Sequence, residues 1–128
     1  MTFNTKGLMS SITDEWRTPK LLYEELNKEF HFNDDPCPPG GNGGLDREWG
    51  GCCFVNPPYS GIKDWVKKAY DEWQKGKTIV LLIPSRTDTK YWHEYIMKAS
   101  EIRFIKGRLK FNDGKGSAPF PSAIIVFR

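Results

Sequence analysis

Hydrophobic positions recur along the chain with two different periods. Leu22, Leu26 and Phe30 fall four residues apart with Tyr23 alongside, which predicts an amphipathic helix. Thr18-Pro19 ahead of it suits a helix start, with Thr18 as N-cap and Pro19 in the first turn. Ile62, Trp65, Val66, Ala69 and Trp73 mark the apolar face of a second helix, with lysines opposite, Ser60 as N-cap and Gly76 at its end. Tyr91, Trp92, Tyr95, Ile96 and Ala99 mark a third, which Asp88 can cap.

The other period belongs to strands. Phe30 to Asp34 and Glu101 to Ile105 alternate, whereas Cys52 to Val55, Thr78 to Ile83 and Ser122 to Phe127 are almost uninterrupted apolar runs. An unbroken run of strand length is the signature of a strand buried on both faces. Gly107 to Phe111 reads as extended, and 112–121 as loop. The segment from Asp35 to Gly44 is too rich in proline and glycine for either regular structure. Trp49 is an anchor for the far end of that loop. This order of elements predicts an α/β fold, a mostly parallel sheet of about five strands with flanking helices and right-handed crossovers. Residues 1–13 read as an N-terminal arm and 14–128 as one domain.

Two of the strands end on proline, at Asn56-Pro57-Pro58-Tyr59 and at Pro84-Ser85-Arg86-Thr87-Asp88. Proline has no N–H for a ladder, so each strand must give way to an exposed turn at its carboxyl end. In open α/β sheets that is where ligands bind. Asn56 brings an amide, Pro57 a carbonyl and Tyr59 a flat ring, a set that can grip a planar group carrying an NH2.

Composition narrows the choices modestly. The 128 residues include five Trp, five Tyr and eight Phe, and carry a formal net charge of +3, a mild lean towards anionic partners. No apolar run approaches membrane-spanning length and the N-terminus lacks a signal-peptide core, so no membrane association is expected and the cytoplasm is the default. Cys37, Cys52 and Cys53 form no CxxC pair and are scattered relative to His31 and His93, so no metal site is expected. Arg103, Lys106, Arg108, Lys110 and Lys115 surround Phe111; such a run serves either as a solvated face or, with Phe120, as a grip on phosphates and a flipped base.

Asn56-Pro57-Pro58-Tyr59 after an apolar strand resembles the catalytic motif of S-adenosylmethionine-dependent amino-methyltransferases. Asp14 to Pro19, Phe54 to Ser60, Pro84 to Thr89, Gly107 to Phe111 and Ala118 to Ser122 follow one another as in the compact, phage-type DNA adenine methyltransferases, and the likeness covers nearly all of the chain beyond the arm. It implies a truncated Rossmann-like methyltransferase fold, S-adenosylmethionine as cofactor and the 6-amino group of adenine in DNA as target. Asn56, Pro57, Pro58 and Tyr59 would carry the chemistry. Trp16, Thr18, Pro19, Asp35, Pro36 and Cys37 would hold the cofactor, with Asp34 or Asp35 as partner for the methionine ammonium. Ser85, Arg86, Asp88, Arg108, Lys110 and Phe111 would meet DNA. The connection from Asp35 to Gly51 departs from larger methyltransferases, being too short for a helix and another βαβ unit, which leaves a reduced cofactor half. Rival readings are an amino-methyltransferase of protein glutamine or RNA, and a DNA-binding remnant without catalysis. Monomer and homodimer are not distinguished.

Overall fold

The structure is a computed structural model that describes residues 17–111 and 117–128. Trp16, the N-terminal arm and Lys115 lie outside the described residues. Helix α1 (Lys20–Phe30) leads to the 35–44 loop and strand β1 (Cys52–Val55), then α2 (Ile62–Trp73), β2 (Thr78–Pro84), the short α3 (Lys90–Glu94), β3 (Glu101–Phe104) and β4 (Ser122–Phe127).

The strands order as β1-β2-β4-β3. β1 pairs parallel with β2 through α2 as crossover, whereas β4 lies antiparallel between β2 and β3. The expected five-stranded, mostly parallel sheet is therefore corrected to a four-stranded mixed one. β1, β2 and β3 do share a direction, but β4 inserts between two of them and removes a parallel ladder. A parallel return from β3 would need a crossover, usually a helix; the glycines and prolines of 106–121 oppose one, and the chain comes back antiparallel. The predicted strand at 30–34 reduces to a single parallel bridge, Asp34 to Cys53, because Pro36 follows at once. Gly107 takes a positive φ of 77°, so the segment after β3 turns instead of extending.

Alternation explains the unbroken apolar strands. Ile79, Leu81 and Ile83 of β2 and Ala123, Ile125 and Phe127 of β4 pack with Val66, Ala69 and Trp92 on the α2–α3 side. Val80, Leu82, Ile124 and Val126 point the other way, to Leu26 of α1, Phe111 and Phe120. Each central strand is thus apolar at every position because each face has its own core.

Three expected caps are replaced. Pro19 itself is the N-cap of α1, Gly61 that of α2, and Thr89 that of α3, where its hydroxyl accepts from Trp92 N–H. Ser60 sits within a 3-10 turn, Tyr59–Gly61, ahead of α2. The consequence for Thr18 is that its hydroxyl is used elsewhere.

Candidate active site

β1 and β2 end on the same edge of the sheet, and the start of β4 joins them there: Ser85 N–H donates to Pro121 O at 2.9 Å. Two cavities open along this edge. The first, about 300 Å³, lies at the end of β1 and is lined by Thr18, Asp35, Cys37, Phe54, Asn56, Pro58 and Trp65, with Arg17 and the 38–41 turn at its margin. The second, about 290 Å³, lies at the end of β2 between Ser85–Asp88 and Pro119–Pro121.

The proline pair after Asn56 stops β1 and throws the asparagine side chain into the first cavity. There Asn56 Nδ2 donates to Thr18 Oγ1 at 3.0 Å, joining the two motifs across the fold. Pro57 is buried, and Pro58 lines the cavity wall. Tyr59 is half-buried and edge-on to Phe120, with ring centroids 5.1 Å apart. Phe120 belongs to the second cavity, so the tetrapeptide spans the wall between the two. Burial raises the Tyr59 phenol well above its ordinary value despite the pull of nearby Arg86, which keeps it neutral.

The acidic pair at the bridge divides its roles. Asp34 is taken by Arg47, whose guanidinium donates to both carboxylate oxygens at 2.9 and 3.0 Å, and by Gly50 N–H at 2.8 Å. The Arg47 hydrogen bond, more than any other influence, holds its pKa below the usual range. Asp34 is thereby committed to clamping the loop. Asp35 faces the cavity and accepts from Cys37 N–H at 3.2 Å. Burial raises its pKa, with Asp34 adding to the effect and the Cys37 hydrogen bond opposing it. A carboxylate held in a place that disfavours its charge is suited to a cationic ligand.

The 35–51 connection is pinned at many points. Pro38 O accepts from Gly41 N–H at 2.9 Å, closing a turn with proline second and Gly40 third at φ 84°, a conformation that glycine supplies at low strain. Gly44 packs so close to Pro36 O that a Cβ there would lie 2.0 Å from it. Trp49 is buried, donates from Nε1 to Gly44 O at 2.7 Å and stacks on Trp65 at 6.1 Å. Behind it, Glu72 of α2 is almost fully buried, accepts from Trp49 N–H at 3.2 Å, and is surrounded by Lys68, Lys75 and Lys77. Burial alone would raise its pKa, but these hydrogen bonds win and hold it at about 2.

Of the residues expected at the cofactor, Thr18, Asp35 and Cys37 line the first cavity, Pro19 caps the adjoining helix, and Pro36 is buried behind the wall. Ser85, Arg86 and Asp88 come together in the second cavity. Ser85 Oγ is buried there without a hydrogen-bond partner among the described residues. Arg108 and Lys110 are exposed, whereas Phe111 is buried in the core against Phe120 instead of standing on the surface. Arg103 leaves the supposed basic grip: Glu29 and Glu101 hold it, and it lies over the Phe30 ring. Sequence reasoning missed Phe54 and Trp65 as cavity walls because both read as ordinary core positions; the proline-glycine turn at 38–41 was the available signal. Cys53 is buried with its thiol pushed up to about 12, in keeping with a small apolar side chain.

A search of curated proteins and of solved structures found no match. A family model does match, over residues 5–125, and so takes in the tetrapeptide, both cavities and the Thr18 segment. On that match the chain belongs to the DNA N-6-adenine-methyltransferase (Dam) family.

Proposed function

We propose that the chain moves a methyl group from S-adenosylmethionine to the 6-amino group of adenine in DNA, with Asn56, Pro57, Pro58 and Tyr59 as the catalytic corner. One observation carries the reading: Asn56 and Asp35 face the same cavity, so an amide that can receive an amine adjoins a half-buried carboxylate suited to a cation. The donor set agrees with the cofactor. Asp35 matches its ammonium, Arg17 and the start of α1 its carboxylate, and Phe54 and Trp65 its flat ring. The volume is at the small end of ligand sites. When bound, S-adenosylmethionine supplies an electrophilic methyl group on a sulfonium.

The chain's own part is positioning and electrostatics. Adenine's exocyclic amine is a poor nucleophile because its lone pair is delocalised into the ring. Asn56 Oδ1 and Pro57 O each take one amine hydrogen, favouring a pyramidal nitrogen with a localised lone pair. Both hydrogen bonds strengthen as that nitrogen becomes positive, so they stabilise the transition state more than the ground state. Tyr59, neutral and backed by Phe120, offers its ring to a base turned out of the helix. No general base is required, since the proton can leave to water after transfer. Ser85, Arg86 and Asp88 serve the base and its flanking backbone, and Arg108 and Lys110 the phosphates.

The test is labelled S-adenosylmethionine offered with DNA, RNA and protein side by side, followed by nucleoside analysis. Label in N6-methyladenine of DNA is expected. Asn56→Ala should abolish it, by at least about a hundredfold, while leaving the melting temperature unchanged. Label in protein or RNA would move the chain to another amino-methyltransferase substrate. Absence of S-adenosylmethionine binding by calorimetry, with or without DNA, would sink the catalytic reading and leave a DNA-binding module.

A further inference from the structure

We propose that the outer edge of β3 is an interface between two copies of this chain, which pair β3 against β3 antiparallel with Ile102 opposite its own copy. The inference does not depend on the function argued above.

β3 stands at one end of the sheet, and β4 is its strand neighbour among the described residues. In an antiparallel ladder, pairs that exchange both backbone bonds alternate with pairs that aim N–H and C=O away. Ile105 N–H donates to Ser122 O at 3.0 Å, which places the bonded pairs at Arg103–Ile124 and Glu101–Val126. Ile102 and Phe104 therefore turn their backbone groups towards the outer edge. Side chains alternate as well. Glu101 and Arg103 stand on the α1 face, where Arg103 reaches Glu29 and lies over the Phe30 ring. Ile102 and Phe104 stand on the other face, Ile102 against the α2–α3 core and Phe104 over Trp92 at 6.5 Å. Phe104 still leaves 66% of its surface to water, at an edge that also carries open backbone groups.

Charges on an edge strand usually deter pairing. Here they have opposite signs two residues apart, so they select a register instead. Outward backbone groups must meet outward groups, which permits three pairings with a second copy: Ile102 with Ile102, Ile102 with Phe104, or Phe104 with Phe104. The second sets Arg103 against Arg103. The third carries Glu101 past the ladder to Gly107, where the chain turns. The first places Glu101 opposite Arg103 twice, in the unbonded pairs whose side chains lie closest. It also brings Phe104 of each copy diagonally against Ile102 of the other, which covers the exposed rings. Such an interface is self-complementary, as a two-fold requires. On the α1 face each copy contributes Glu29 and Glu101 with Arg103 and Arg128, two charges of each sign, so joining the faces accumulates no net charge. Ser100 N–H is already given to Val126 O, so the ladder is short and the dimer dissociates on dilution. The two-fold reverses strand direction, so the two cavity edges point away from each other and both stay open.

Sedimentation equilibrium of the full chain from about 10 µM to about 1 mM reads the association. Wild type should dimerise. Glu101→Arg and Arg103→Glu should each raise the dissociation constant at least about tenfold, since each sets two like-charged pairs face to face. An equimolar mixture of the two variants should associate again, because one copy then offers two arginines to two glutamates. Net charge alone would also favour the mixture, so Phe104→Pro isolates the backbone. It removes an outward N–H and the exposed ring, spares the β3–β4 bonds, and should abolish the dimer while melting like wild type. Amide exchange needs no variant: Ile102 and Phe104 should gain protection as concentration rises, whereas Arg103, already bonded to β4, should not. A wild type that stays monomeric across the range, a Phe104→Pro chain that dimerises like wild type, or Ile102 and Phe104 amides indifferent to concentration would overturn the proposal. Failure of the mixture to associate would overturn the register.

Discussion

Replacing Glu72 with glutamine tests whether the shortened connection is held from behind. The native carboxyl is drawn from an ordinary 4.5 to about 2 by Lys77, Lys75, Trp49 N–H and Lys68, against the opposing effect of burial. A depression of that size corresponds to about 3 kcal/mol of favourable coupling at neutral pH. Lys75 is half exposed, so solvent screening brings the expected loss to about 2–3 kcal/mol. Glutamine keeps an oxygen for Trp49 N–H but turns an NH2 towards ammonium groups.

The sign of the pH dependence follows. Because the folded pKa lies below the unfolded one, the stabilisation is complete above about 4.5 and is lost as pH falls towards 2. Urea unfolding followed by tryptophan fluorescence should show wild type about 2–3 kcal/mol more stable than Glu72→Gln at pH 7. At pH 3 the gap should shrink to roughly half or less. Other carboxylates titrate too, but they do so in both proteins and cancel in the difference. A gap under about 0.5 kcal/mol at pH 7, or one that is the same at pH 7 and pH 3, would refute the reasoning.

Asp35→Asn should weaken S-adenosylmethionine binding at least about tenfold by calorimetry; because burial raises the Asp35 pKa, ionising it opposes folding at neutral pH, so the same variant should melt no lower than wild type. Binding to wild type should also fade on acidification at a higher pH than for an exposed aspartate. Gly44→Ala drives a Cβ to 2.0 Å from Pro36 O and 2.8 Å from Trp65, and should cost more than about 2 kcal/mol in urea unfolding; a neutral result would mean that the wall yields easily. Arg108→Ala with Lys110→Ala should weaken DNA binding uniformly across sequences and reduce the slope of log affinity against log salt by about 2, and an unchanged slope would remove both from the phosphate contacts.

Much of the frame could be read from the sequence because it rests on local periodicity. The stripe on α2 and the run of β2 gave their elements within a residue or so, and the prolines at the ends of β1 and β2 marked the edge on which both cavities open. Strand direction could not be read, since β2 and β4 are both unbroken apolar runs and neither run says which way its ladder goes. Charged residues misled for a related reason. Glu72 lies among lysines on a helix without any apolar mark of burial, and Trp49 and Lys77 arrive from elsewhere in the chain to enclose it. Arg103 reads as part of a basic grip until Glu29 is brought beside it by α1. Thr18 satisfied a capping rule and, through the family resemblance, a cofactor role; the fold makes Pro19 the cap and gives the Thr18 hydroxyl to Asn56.

These long-range bonds bear on how so small a sheet can present the proposed cofactor cavity at all. A doubly wound fold builds that wall from further strands and their helices. Here, among the described residues, β1 has only the Asp34 bridge beyond it, and the wall is the 35–51 connection. Its rigidity comes from a chain of specific contacts: Arg47 on Asp34, Trp49 on Gly44 and Trp65, and Glu72 on Trp49. None of these groups except Trp65 lines the cavity, yet each fixes a residue that does or adjoins one that does. The wall can then loosen while the central β2–β4 ladder holds, because its backbone link to β2 is at the first residue, where Thr78 N–H donates to Gly51 O at 3.0 Å, ahead of the β2–β4 register at Ile79–Pro84. Mild damage to the anchors should accordingly appear first as lost cofactor affinity, with the sheet intact. The shortened connection thus substitutes polar and aromatic pinning for the missing strands, and the proposed catalytic corner depends on residues remote from it.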